Sequence, residues 1–375
     1  MTLPNGRCSW PAWLVAAATG LLPMATASSQ TPNRHPDRRF VDQSVPVTNT
    51  LRLGGPRTPL GVSLAEAATA TIGREDGPDH FIFGDIANVG TTQKGAVIVV
   101  DRKNMDVRLF DVRGQFLQRL GRRGQGPGEF RSPHSLLVTP KDELWIADMQ
   151  RRLTVFGPSA DGYRLVRTIP VAIGIRSMCM LRGELVANGV ALGDPFVIRV
   201  LDSLARPVRA FGKLYASPNA LLNVQFAEGR IACDAANDII VYASQAALGE
   251  VRAYRRDGGA VWRTVIEDVR SNIITDIDGG MSVKVSPDGA HSLLSLNVLP
   301  DVGIVLQYDF RTAAQLAANE PAGEILTILL DARTGAATLA SESWPRLGAL
   351  SAEGALVVYE DPAPRIETRK LRQRR

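Results

Sequence analysis

Gly121-Arg-Arg-Gly-Gln-Gly-Pro-Gly-Glu-Phe130 stands between two strand-like stretches, Phe116–Leu120 and Ser135–Thr139. A degraded copy, Ile72-Gly-Arg-Glu-Asp-Gly-Pro-Asp-His-Phe81, lies about 50 residues earlier. Glycines at such a junction permit the positive φ of a tight turn. Pro127 restricts the residue before it, and Phe130 is suited to plug an apolar space between neighbouring sheets. No Walker lysine follows, and no helix of the dinucleotide-binding kind, so the loop is not read as a phosphate cradle. A strand, glycine turn and strand repeating at this period predict an all-β ring of radial sheets rather than an αβ domain.

Working outward, one four-stranded unit runs through Ile86–Gly90, Ala96–Asp101, Asp106–Asp111 and Phe116–Leu120. The next runs through Ser135–Thr139, Leu144–Asp148, Arg152–Phe156 and Tyr163–Ile169, which places Asp148 47 residues after Asp101. Looser copies follow. A third unit uses Met178–Leu181, Glu184–Val190, Phe196–Leu201 and Val208–Phe211, and a fourth Val224–Ala227, Ile239–Ala243, Val251–Tyr254 and Val261–Ile266. The fifth begins at Met281 and includes Ser292–Val298, Ile304–Phe310, Ile325–Leu330 and Ala337–Ala340, with a bulge in one long strand and a short helix within Thr312–Ala322. The sixth has only Leu347–Leu350, Ala355–Tyr359 and Ile366–Leu371. Thr69–Ile72 is therefore expected to join Ile366–Leu371 as its outer strand and close the ring. The fold class is a six-bladed β-propeller with four-stranded blades, spanning residues 61–371.

Residues 1–27 have the pattern of a cleavable leader. Arg7 precedes the apolar run Trp10–Met24, and Ala25-Thr26-Ala27 fits a cleavage site. The run is short for a membrane span, and no later stretch approaches that length, so a periplasmic or secreted chain is expected. Residues 28–50 are polar and carry Pro32, Pro36 and Pro46; the stretch to 60 reads as a flexible leader. Residues 372–375 read as a basic tail. The formal charge is +5, and no focused basic patch interleaved with aromatics marks a nucleic-acid surface. Cys179 and Cys233 fall in strands of neighbouring blades. Export permits a disulfide between them, and free buried cysteine is equally natural there. Without a CxxC pair, and with the histidines far apart, a Cys/His zinc site is excluded.

The Gly121–Phe130 loop, Pro133, Ile146-Ala-Asp148 and Arg152-Leu-Thr-Val-Phe156 together resemble the repeat of NHL-type six-bladed β-propellers. Val100-Asp101 with Arg108-Leu-Phe110 is a second, weaker match. The resemblance implies a rigid ring whose loops bind protein or RNA; related folds include lyases, lactonases and esterases. Some of those hydrolases centre a metal on the axis with Glu, Asn and Asp ligands. Asn88, Asn188, Asn223 and Asp234 are conceivable inward groups here, and a calcium site would need several oxygens converging. No catalytic set is complete: Ser135 lacks identifiable partners, and His80 and His134 do acid–base work only if a pocket joins them.

The remaining candidate is a binding rim. Arg102, Arg122, Arg123, Gln125, Arg131, Arg151 and Arg152 fall in loops that emerge on one face of four-stranded blades, where arginines can fork onto carboxylates or sulfates. The first expectation is an exported, non-catalytic module that recognises a protein or acidic glycan through these loops, without cofactor. The alternative is a calcium-dependent hydrolase or lyase with its site on the axis.

Overall fold

The computed structural model describes residues 38–373, apart from 192, 246, 247 and 322. Six antiparallel sheets stand around one axis. In blades one to five the strands run inner to outer in chain order, blade one for example being Ile86–Thr91, Val97–Asp101, Asp106–Phe110 and Phe116–Leu120. Blade two spans Pro133–Val138 to Gly162–Pro170, and blade three Gly174–Leu181 to Pro207–Lys213. Blade four runs from Gly229–Asp234 to Ala260–Glu267, and blade five from Ala290–Leu299 to Ala337–Ala340. Each inner strand packs against the next, and the sixth, Leu347–Leu350, returns to the first.

Middle strands are buried on both faces. Val97–Asp101, Asp106–Phe110 and Leu144–Asp148 are buried at every residue, which explains their unbroken apolar runs. The core is divided accordingly. Six apolar clusters fill the spaces between successive blades, such as Val100, Leu109, Phe130, Leu136 and Phe156 between blades one and two. Phe130 is the expected interblade plug.

The ring closes as expected. Ala70–Ile72 pairs antiparallel with Arg365–Gln373, setting Ile72 opposite Ile366. The expected flexible leader is corrected over its described part, because residues 40–64 form a belt along the outside of blades four to six. Val41 bridges Tyr215, Asn49–Arg52 adds a parallel fifth strand to blade four, and Arg57–Thr58 does the same for blade five. Val62–Leu64 then pairs with Leu371–Gln373. Val41 and Val45, then Leu51 and Leu53, then Leu60 and Val62 enter three successive interblade clusters. These anchors are spaced along a polar chain, so composition alone conceals them. The basic tail is corrected for the same reason, since Arg372 and Gln373 are paired strand. The expected leader at 1–27 lies outside the described residues.

Three further differences have local causes. Val224–Ala227 is not a strand but the end of a helix, Ala220–Ala227, capped by the Asn219 side chain, which accepts from the Leu221 amide. The inner strand of blade four is Gly229–Asp234. Met281 belongs to a separate hairpin, Ile273–Ile277 with Gly280–Lys284, inserted before blade five. The expected short helix is Ala313–Ala318, begun by a Thr312/Gln315 capping box and ended by Asn319 at φ 53°. A register shift between Leu293 and Ser295 supplies the expected bulge. Cys179 and Cys233 form a disulfide across the inner strands of blades three and four.

Candidate functional site

The two faces of the ring differ in their connections. One face carries only first-to-second and third-to-fourth strand turns, such as Thr92–Ala96, Asp111–Gln115 and Thr139–Glu143, each closed by backbone hydrogen bonds. The other face carries the Gly-rich loop, the Ala220–Ala227 helix, the inserted hairpin and the Ala313–Ala318 helix. Long connections on one side of a rigid scaffold are where binding residues are expected.

All seven candidate rim residues lie on that long-loop face, but several of them hold the loops together. Arg102 pairs with Asp85, Nε to Oδ2 at 2.7 Å, and Arg122 with Glu129 at 2.9 Å. Arg152 donates to the carbonyls of Gln125 (2.7 Å) and Glu129 (3.0 Å) and so clamps the loop from below. The Glu129 carboxylate accepts from the Gly126 amide at 2.9 Å. That bond, then Arg122, holds its carboxyl below the usual carboxylate range. The loop therefore wraps its own anion. A Cβ on Gly124 would collide with the Glu129 carboxylate, so any side chain there would push that anion from its place in the loop.

The aspartates that end the second strands do matching work. Asp101 accepts from the amides of Gly84 (2.8 Å) and Asp85 (3.2 Å). Asp148 accepts from those of Arg131 (2.7 Å) and Ser132 (3.1 Å). The motif residues thus fix the loop that enters each blade. Arg123, Arg131 and Arg151 are left exposed, and none of their guanidinium groups has an ion-pair partner among the described residues.

A second feature lies on the axis. A cavity of about 200 Å³ is ringed by all six inner strands. Its polar wall includes Asn88, Ser135, Ser177, Asn297, Arg230 and Arg346, and it has no Asp or Glu among its described lining. Arg346 pairs with Glu360. Burial, then the neighbouring Arg346, pushes the Arg230 guanidinium down to about 10.

Of the four conceivable axial ligands, only Asn88 lines this cavity. Asn188 spans blades three and four through the carbonyls of Val197 and Ala227, Asn223 closes a loop with Ser217, and Asp234 caps the turn at Ala236. A wall with two arginines and no carboxylate does not fit a calcium ion. Nor do the histidines meet. His80 stacks on Phe116 at 4.4 Å, whereas the half-buried His134 ring contacts the Ile175 carbonyl at 2.5 Å and its pKa is lowered by burial. Sequence reasoning missed Arg230 and Arg346, because nothing local distinguishes an arginine facing the axis from one facing solvent. A firm register for blades four and six would have found them.

Residues 76–185 match the family DUF5128, described as a six-bladed β-propeller. No curated protein matches the chain. A Bacteroides fragilis structure that bears the name of an exported protein aligns with TM-score 0.56 at 12% identity, covering 87% of this chain and 99% of its own. A member of the DUF4221 family from Bacteroides vulgatus aligns with TM-score 0.53 at 10% identity, covering 84% and 99%. These likenesses establish the six-bladed ring and nothing chemical.

Proposed function

We propose that the chain is an exported binding module whose long-loop face recognises an acidic partner, a protein or an anionic glycan, and that blades one and two are NHL-type repeats. The observation that carries this reading is the trio Arg123, Arg131 and Arg151. They are exposed on the face that holds every long connection, while their motif neighbours are occupied in holding the loops. Guanidinium groups presented in this way suit carboxylate or sulfate. The Cys179–Cys233 disulfide favours an oxidising compartment, periplasmic or extracellular. No helix among the described residues is long and apolar enough to cross a membrane, and one similar structure bears an exported protein's name.

The test is retention on immobilised heparin, used as a polyanion probe, for two triple variants of equal charge change. Arg123→Glu/Arg131→Glu/Arg151→Glu should elute at markedly lower salt than the parent. Lys94→Glu/Arg113→Glu/Lys141→Glu, on the tight-turn face, should elute nearly unchanged. Equal displacement of both would reduce the attraction to net charge and overturn the proposal.

A further inference from the structure

The axial cavity is separate from the loop-face reading and has a chemistry of its own. Arg346 is neutralised by Glu360, which lies largely in solvent. The Arg230 side chain has neither hydrogen bond nor ion pair among the described residues, and its Nε is buried. Two more polar atoms from the same lining are buried without partners, Asn297 Nδ2 and Ser135 Oγ. They come from the inner strands of blades four, five and two, so the ring itself brings them to one space.

The kind of atom left unsatisfied is informative. Arg230 Nε and Asn297 Nδ2 can only donate, and the Ser135 hydroxyl can donate as well. A buried donor without an acceptor is costly, and more so when it is charged. An oxyanion would satisfy all three kinds of donor and supply the negative charge that Arg230 lacks. Beside the polar Asn88, Ser177, Ser295 and Arg346, part of the lining is apolar, including Val89, Leu136, Ile231 and Leu294. Drug-sized ligands occupy roughly 300–1,000 Å³, so about 200 Å³ admits only a small molecule.

We propose that the axial cavity binds a small organic carboxylate, its charged end held by Arg230 and Asn297 and its body against the apolar lining. The depressed guanidinium of Arg230 fits this arrangement, since burial first and the nearby Arg346 second disfavour its charge, and Arg230 itself has no counter-ion among the described residues. A bound carboxylate would offset both.

The experiment is thermal unfolding of the full mature chain with butyrate, succinate or inorganic phosphate at matched ionic strength. Butyrate or succinate should raise the melting temperature saturably. Arg230→Met should raise the melting temperature without ligand, because an uncompensated buried charge is removed, and should abolish the response. Asn297→Ala, which leaves the charge in place, should weaken apparent affinity roughly tenfold or more, the loss of one hydrogen bond to a charged group. Should Arg230→Met fail to fold, the Asn297→Ala shift decides alone. A response unchanged in Asn297→Ala and Arg230→Met, or no response to either carboxylate, would overturn the proposal. So would a response to phosphate only, which would assign the cavity to inorganic oxyanions.

Discussion

Blades one and two hold themselves together, whereas blades four, five and six are held by a chain segment that arrives from outside them. In the first pair each loop is fixed from within: Asp101 and Asp148 tie the entering amides, Arg152 clamps the Gly-rich loop, and Phe130 fills the space beneath. In the other half the N-terminal belt supplies edge strands and apolar anchors, and it also supplies partners for buried arginines. Arg252 donates to the Asp42 carbonyl at 2.9 Å, and Arg263 to the Val45 carbonyl at 2.9 Å. Local closure leaves a recognisable sequence motif. Closure by a distant segment leaves almost none. The family match at residues 76–185 covers the self-held blades and runs on into the first strand of blade three.

The largest test of this contrast is removal of residues 28–60. Val41, Val45 and Leu60 are buried, and at about 1.5–3 kcal/mol each their loss alone is of the order of the whole stability of a typical domain, about 5–15 kcal/mol. The shortened chain should be largely insoluble, or should unfold at much lower urea. A denaturation midpoint close to that of the full chain would show the belt to be a passive wrapping.

Next in size is the ionic cluster beneath the belt. Glu250 takes Arg263 on both oxygens, at 2.7 and 2.8 Å, and Arg252 at 3.2 Å, all three residues being buried. Glu250→Leu leaves the buried Arg263 without its carboxylate and Arg252 with Asp42 alone, at 3.4 Å, and should cost roughly 3–5 kcal/mol. Combining it with Arg263→Met should recover a substantial part of that loss in urea denaturation. Additive losses would mean that the pair is not coupled. The Cys179–Cys233 bridge comes third, where self-held and belted halves meet. It closes a loop of separation 54, and removing it with a Cys→Ala pair should cost about 2–4 kcal/mol, measured the same way.

How much of this was legible follows from the same contrast. The glycines, Phe130 and paired aspartates of blades one and two announce their turns within a dozen residues, so strand order, period and ring closure could be read. Gln125 and Arg152 fall in neighbouring loops by strand order, yet a sequence cannot show that the Arg152 guanidinium is spent on the Gln125 and Glu129 carbonyls. The belt was missed because Val41, Leu51 and Leu60 look like scattered apolar residues until blades four to six provide their partners. Val224–Ala227 reads as strand from its β-branched and aromatic residues, while the Asn219 cap that starts the helix lies outside that stretch. The axial arginines depend on register in the least regular blades, and register there is set by tertiary contact.

The smallest expected effect concerns a self-held loop and is one of pH. Glu129 has its carboxyl depressed by the Gly126 amide first and Arg122 second. A carboxyl whose pKa is lower folded than unfolded stabilises the fold above its unfolded value, near 4.3, and that contribution fades as pH falls through the folded value. The loop amides from 124 to 130 should therefore exchange hydrogen faster, relative to the rest of blade two, once pH drops below about 4. In Glu129→Gln this acid-induced loosening should vanish, because no titrating group remains, and exchange should already be faster at neutral pH. If the loop of Glu129→Gln still loosened in acid, the anion it wraps would not be what holds it closed.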